Sequence, residues 1–372
     1  VRPKAGAAIA HVAVHAVGGV RDESAETAGL TTLAMRSSIK GTATRTAAQI
    51  AEDIEMLGAS IGTSVGGESF GWSISVPVQH LEAAVEILVD IVQDAVIPED
   101  AMETERSMAL SDLSAMRDDM FRYPMRLVMK GAYGDHPYAR SPLGNEASLR
   151  AANVEDVRQW YRTRLLGSQF VVGVVGDVEP ADAAEITARL LDGLQPVKQP
   201  AIDAPSWPQG ETISVESREK AQTALAMAFE GPSREDDRRF AAQLVATIAS
   251  GLGGRFFDEL RDRQSLAYTV HAYTSEHQLG GMFLSYIATS PEKEDLARNG
   301  LLNEFARLRE TEVTEDELAR AKRYAIGSHA IRQESGGAIL GDILDAWMFG
   351  AGLSELAEYD ERISEVTREE IL

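Results

Sequence analysis

Cysteine is missing from the 372-residue sequence altogether, which excludes thiol nucleophiles, thiolate metal sites and disulfide staples. Packing alone must hold the core. No apolar run approaches the roughly eighteen residues of a membrane-crossing helix. Basic side chains are in short supply, with 36 Lys and Arg against 58 Asp and Glu, a net charge of -22. Such a surface repels phosphate backbones and anionic lipid, so nucleic acid and membrane insertion drop out as partners. The remaining composition, 44% hydrophobic, 25% charged and 6% aromatic, excludes disordered and collagen-like classes. It suits two or three ordinary domains.

Residues 8–17 are small, apolar and β-branched, and predict a buried strand ending at Gly18-Gly19. A helix is expected from about Glu26 to Ile39. Thr46 and Gln49 form a capping box, after which Ile50, Ile54 and Leu57 recur at helical spacing until Gly58. Ser60 to Val65 and Phe70 to Val76 flank Gly66-Gly67 and read as a hairpin, with Phe70, Trp72, Ile74 and Val76 alternating. Leu81, Val85, Leu88 and Val92 mark another helix. Pro98 opens a long one in which Met102, Ala109, Leu113 and Met116 share a face. Helices over 154–165 and 181–191 bracket a strand at Phe170 to Val175.

Four prolines between Gln195 and Gly210 break helix and remove strand donors, which places a linker at 196–210. Domains of 1–195 and 211–372 follow. The second half repeats the order of the first: strands at Thr212 to Val215 and Thr223 to Phe229, a helix near Phe240 to Ser250, strands at Tyr268 to Tyr273 and Met282 to Ala288, then long helices. Pro98 to Arg106 matches Thr314 to Lys322 in position and pattern. The fold class is α+β, two related domains, each a mostly antiparallel sheet flanked by helices. Val154-Glu-Asp-Val157 leads to a strand and helix, whereas the related Val366 to Glu370 lies at the end of the sequence; roughly 40 further residues are expected to complete the second copy.

Gly29-Leu-Thr-Thr-Leu-Ala-Met-Arg-Ser-Ser-Ile-Lys-Gly-Thr42, Gly58-Ala59, Glu105-Arg106, Gly144-Asn-Glu-Ala147 and Val174-Val-Gly-Asp177 together resemble the pitrilysin/insulinase family of zinc metallopeptidases, which includes mitochondrial processing peptidase. The resemblance spans nearly the whole chain. It implies two related domains forming one half of a clamshell that closes around a peptide. Active members carry H-x-x-E-H, two imidazoles one helical turn apart for zinc and a carboxylate base for its water. Here the first ligand position is Thr32, the base Met35 and the second ligand Arg36; the third ligand, a glutamate in the family, falls at Asp112. Threonine is a poor zinc ligand, methionine takes no proton, and arginine sets a permanent positive charge where the cation belongs. Asp112 is expected to be solvated or paired with Arg36, the alternative being a residual weak cation site. None of the seven histidines begins H-x-x-E-H, and on a strand His11 and His15 are too far apart to chelate one ion directly. Lys40-Gly41-Thr42 reads as a helix end, since it lacks the upstream glycine of a phosphate loop.

The family's arginine and tyrosine, seven positions apart, are present as Arg261 and Tyr268, preceded by Gly253-Gly254-Arg255-Phe256-Phe257. Guanidinium can grip peptide carbonyls and a phenol can donate to an oxyanion. The structural alternative is an Arg261 salt bridge to Glu259 or Asp262 with Tyr268 packed at a sheet edge. A chain without the zinc motif but with Arg261 and Tyr268 resembles the noncatalytic subunit of heterodimeric bacterial members. That implies a homologous zinc-binding partner, a peptide substrate, and no metal in this chain. The chain alone is then no peptidase but a component of a metalloendopeptidase complex, in bacterial cytoplasm or periplasm. The alternative is an inactive scaffold of the same family. The strand Ser60 to Val65 is where members add a peptide strand.

Overall fold

The computed structural model describes residues 1–197, 201–251, 253–267, 269–350 and 352–372. The first half runs β1 (Arg2–Pro3), β2 (Ile9–Val17), α1 (Leu30–Ser38), α2 (Ala47–Met56), β3 (Ser60–Val65) and β4 (Ser69–Pro77). It continues with α3 (Leu81–Asp94), α4 (Glu99–Asp118), α5 (Arg122–Tyr133), α6 (Glu146–Ala151), α7 (Val154–Trp160), β5 (Phe170–Gly176) and α8 (Pro180–Leu191). The second half comprises β6 (Thr223–Gly231), α9 (Arg238–Ser250), a π-helical turn at Phe257–Arg263, β7 (Thr269–His277) and β8 (Gly280–Thr289). It closes with α10 (Glu294–Glu310), α11 (Glu315–Arg332), α12 (Gly336–Phe349), α13 (Leu353–Glu365) and α14 (Arg368–Ile371). Among the described residues no helix is long and apolar enough to cross a membrane.

Contacts gather the chain into two units: Val1–Met116, Arg140–Ile202 and Gln333–Met348 in one, Arg117–Ala139, Asp203–Arg332 and Phe349–Leu372 in the other. One passage between units, Ile202 to Asp203, lies in the proline-rich stretch. Two helical segments change sides, so α5 from the first half belongs to unit 2 and most of α12 to unit 1.

Unit 1 holds a sheet of order β1-β5-β2-β4-β3, antiparallel except for β1 on β5. The alternation read in the sequence points Val12, Val14, Phe70, Trp72, Ile74 and Val76 into one core with Leu33 and Met35 of α1 and Val85 and Leu88 of α3. The Trp72 indole N–H donates to Ser38 Oγ at 2.8 Å, which ties β4 to α1. On the opposite face of β5, Gly173 lets α12 come close, since a Cβ there would sit 2.5 Å from Leu340. The hairpin and the Thr46–Gln49 capping box are both present. The first helix is shorter than expected. It starts at Leu30 because Gly29 takes φ +94°, a left-handed conformation that separates it from the preceding turn.

Unit 2 holds an antiparallel sheet of order β6-β8-β7. Val270, Ala272, Phe283 and Ile287 pack with Leu244 and Ile248 of α9, Leu301 of α10 and Leu318 of α11. By element order β6, β7 and β8 repeat β2, β3 and β4. The strand expected at Thr212 to Val215 does not form. Its alternating Ile213 and Val215 are 67% and 82% exposed, and among the described residues no strand pairs with this stretch to fix them.

Candidate functional site

The degenerate motif sits on α1, and its placement starts one turn upstream. Glu23 is buried and accepts from the Gly29 and Thr31 amides, both at 2.9 Å, so a carboxylate caps the start of α1 where no Ser, Thr, Asp or Asn stands at the N-cap. Burial pushes the Glu23 carboxyl up to about 7 against the opposing pull of those two amides. Gly29 meets Gly144, at φ +75°, so closely that a Cβ on Gly144 would lie 2.5 Å from the Ala28 carbonyl oxygen. The two glycine motifs are therefore one backbone crossing. Sequence reading missed Glu23; the available signal was an acid in the short turn between a buried strand and a buried helix.

Each zinc-motif position now has a different occupation. Thr32 is buried and its hydroxyl donates to the Pro142 carbonyl. Met35 is fully buried in the unit 1 core. Arg36 reaches Asp112 on α4, with its two terminal nitrogens 3.2 and 3.3 Å from Asp112 Oδ2. The pair is partly solvated, with the Arg36 side chain 30% and the Asp112 side chain 44% exposed. These four residues do not fit zinc. The one carboxylate is engaged by a guanidinium, and the remaining positions carry a hydroxyl bonded to backbone and a thioether in the core.

Among the described residues there is no cluster of three or more His, Asp or Glu able to hold a metal ion. His11 Nδ1 lies 2.8 Å from Ser75 Oγ, and His15 Nε2 lies 3.4 Å from Ser64 Oγ on β3. Burial lowers the His15 imidazole to about 4. The Thr42 hydroxyl donates to Asp90 at 2.6 Å, which also takes Thr44 and Arg45, so this stretch after α1 is a structural loop.

Arg261 of unit 2 projects from the π-helical turn. Phe256 and Leu260 anchor that turn in the core, and Gly254 turns too tightly for a Cβ, which would meet the Ala249 carbonyl oxygen at 2.7 Å. Arg255 fixes the turn to α11 through Glu317, at 2.7 and 3.0 Å, and Glu317 also accepts the Thr314 amide at 2.8 Å. The Arg255 guanidinium beside it holds the Glu317 carboxyl down at about 2. The Arg261 side chain is 38% exposed, with its Nε 3.9 Å from Asp262 Oδ1. Its guanidinium carbon stands 5.0 Å over the Phe257 ring. Glu259 is engaged by Arg263 and Gln264. Tyr268 lies outside the described residues. The β3 strand of unit 1 is an edge strand, with Ser60 and Ser64 exposed.

Two family models match in succession: Insulinase (Peptidase family M16) over residues 2–146, and Peptidase M16 inactive domain over residues 151–324. An uncharacterized zinc protease of Rickettsia felis is 26% identical over 318 residues, covering 85% of this chain and 76% of its own. An uncharacterized zinc protease of Mycobacterium leprae is 27% identical over 368 residues, covering 95% and 80%. A crystal structure of a peptidase M16 inactive domain from Pseudomonas fluorescens shares the fold with a TM-score of 0.88 at 23% identity, covering 98% of this chain and 89% of that one. With both halves matched in order and the same α+β architecture, the chain belongs to the peptidase M16 (insulinase) family.

Proposed function

We propose that this chain is the noncatalytic, substrate-binding subunit of a heterodimeric zinc metallopeptidase. The observation that carries the reading is the Arg36–Asp112 ion pair at the position of the family's zinc. A chain with its own cation there needs the metal from elsewhere. A homologous subunit bearing H-x-x-E-H supplies zinc and base, while Arg261 and Tyr268 of this chain orient the peptide and donate to the oxyanion. Support for the arginine's part comes from its anchored yet accessible position on the π-helical turn, a backbone irregularity common at functional sites.

An inactive scaffold is the second reading, favoured by the stacking of Arg261 on Phe257. Co-production decides between them. The chain alone is expected to cleave no peptide, and its mixture with a zinc-motif homologue is expected to do so in a chelator-sensitive way. A mixture no more active than the homologue alone favours the scaffold.

A further inference from the structure

The π-helical turn that carries Arg261 ends in a left-handed residue that is not glycine. Ser265 takes φ +52°. Its amide donates to the Arg261 carbonyl at 3.1 Å, and the Leu266 amide donates to the Leu260 carbonyl at 2.8 Å. These two bonds close the turn much as a Schellman motif closes an α-helix, one residue wider because the turn is π-helical. Glycine is the usual occupant of the left-handed position, since a Cβ is strained at positive φ. A serine holds that conformation only where its surroundings over-determine it.

The end of β8 and the start of α10 supply those surroundings. Thr289, the last residue of β8 and 2% exposed, donates its hydroxyl to the Leu266 carbonyl at 2.6 Å. Lys293 donates to the Ser265 carbonyl at 2.9 Å. Ser265 is exposed, so water could satisfy that carbonyl, and the lysine bond adds restraint rather than a missing partner. Gly300 of α10 passes so near that a Cβ there would lie 2.7 Å from Leu260 and 3.4 Å from Leu266, both buried in the unit 2 core. Gln264 is tied back to Glu259 at 2.8 Å, and the Arg255–Glu317 pair holds the start of the turn. Between these two fastened ends stands Arg261, its side chain 38% exposed.

We infer that Thr289 is a positioning residue for Arg261: together with Lys293 it fixes the kink at Ser265, and with it the direction in which the guanidinium meets a peptide carbonyl. The inference rests on the substrate-binding reading of Arg261. Thr289 touches no substrate and acts only through the turn. Its hydroxyl holds the Leu266 carbonyl, Leu266 closes on Leu260, and Ser265 closes on the carbonyl of Arg261 itself. A group that grips a reacting carbonyl needs such a second layer, because a misplacement of about 1 Å can cost on the order of 100-fold in rate.

Thr289→Val keeps the shape and removes the hydroxyl, Thr289→Ser keeps the hydroxyl, and Lys293→Met removes the second anchor without entering the core. In the 372-residue chain alone, amide hydrogen exchange at Ser265 and Leu266 is expected to quicken about tenfold in Thr289→Val and to stay at the parent rate in Thr289→Ser, with α9 unchanged in both. The second arm is the pair reconstituted with a zinc-motif homologue and assayed on a quenched fluorogenic peptide. There Thr289→Val is expected to lower kcat about threefold or more and Lys293→Met about twofold, KM staying within about twofold, while Thr289→Ser keeps the parent kcat. In an Arg261→Ala background Thr289→Val should change kcat by less than about twofold, because the group it places is gone. Unchanged exchange at Ser265 and Leu266, equal losses in both backgrounds, or a fall in Arg261→Ala with none in Thr289→Val and Lys293→Met overturns the positioning role alone. Unchanged kcat in Arg261→Ala, or no turnover by the pair, overturns the substrate-binding reading and the positioning role with it.

Discussion

Unit 1 and unit 2 share the antiparallel orders β2-β4-β3 and β6-β8-β7 but differ in which described strands flank them and in the residues that stand at the expected site positions. In unit 1, β2 is flanked on both edges and the core is closed around Trp72; among the described residues of unit 2, β6 is paired with β8 along one edge, and Ile213 and Val215 are exposed. The chemical difference runs the other way. Unit 1 carries a buried thioether, a backbone-bonded hydroxyl and an ion pair at the expected zinc-motif positions. Unit 2 keeps an accessible arginine on a turn braced from below. Unit 1 thus joins a closed core to expected metal positions that carry no fitting ligand set, and unit 2 joins a three-stranded described sheet to an accessible Arg261.

The largest expected effect breaks the better-packed unit. Trp72→Ala removes the residue that joins β4 to α1 and should cost about 3–5 kcal/mol in urea unfolding. Exchange in β2 should rise while β7 and β8 keep their protection. Next, Glu317→Ala leaves Arg255 and the Thr314 amide without their carboxylate and should cost unit 2 about 1–3 kcal/mol. Because the folded state depresses the Glu317 carboxyl from 4.5 to about 2, its contribution is present above about pH 4.5 and is lost as pH falls toward 2. Wild type and Glu317→Ala should therefore converge in acid.

Glu23 of unit 1 has the opposite sign. Its folded value, about 7, lies above the ordinary 4.5, so the native state holds the proton more tightly. Stability from this group falls as pH rises from about 4.5 to 7. Melting temperatures of wild type should drop relative to Glu23→Gln across that window; a constant difference would remove Glu23 as the source. The smallest effect is at the Arg36–Asp112 pair. Arg36→Ala breaks a partly solvated pair and should change stability by less than about 1 kcal/mol, as measured by denaturant midpoint.

Legibility in the sequence followed how local the determining forces are. The β3–β4 hairpin, the Thr46–Gln49 cap and the paired openings of α4 and α11 were readable because alternation, capping and first-turn chemistry act within a few residues. The strand at Thr212 to Val215 was misread because its pattern is real while its partner strand is not beside it. Nor did the amphipathic faces of α5 and α12 reveal which sheet each would cover; an apolar stripe specifies burial, not its address. Thr32, Met35, Arg36 and Asp112 were located by spacing alone, but the bond of Thr32 to Pro142 and the burial of Met35 depend on contacts far along the chain. Glu23 escaped notice because only the folded backbone brings the amides of Gly29 and Thr31 to its carboxylate.

The proposed division of labour between a metal-bearing partner and this chain is tested most directly by turnover of the reconstituted pair with Arg261→Ala. The expected result is a fall in kcat of at least tenfold, comparable to removing an oxyanion donor, with zinc content of the partner unchanged. Tyr268→Phe should fall similarly. Unchanged kcat for both variants, or chelator-sensitive cleavage by this chain without its partner, would contradict the account.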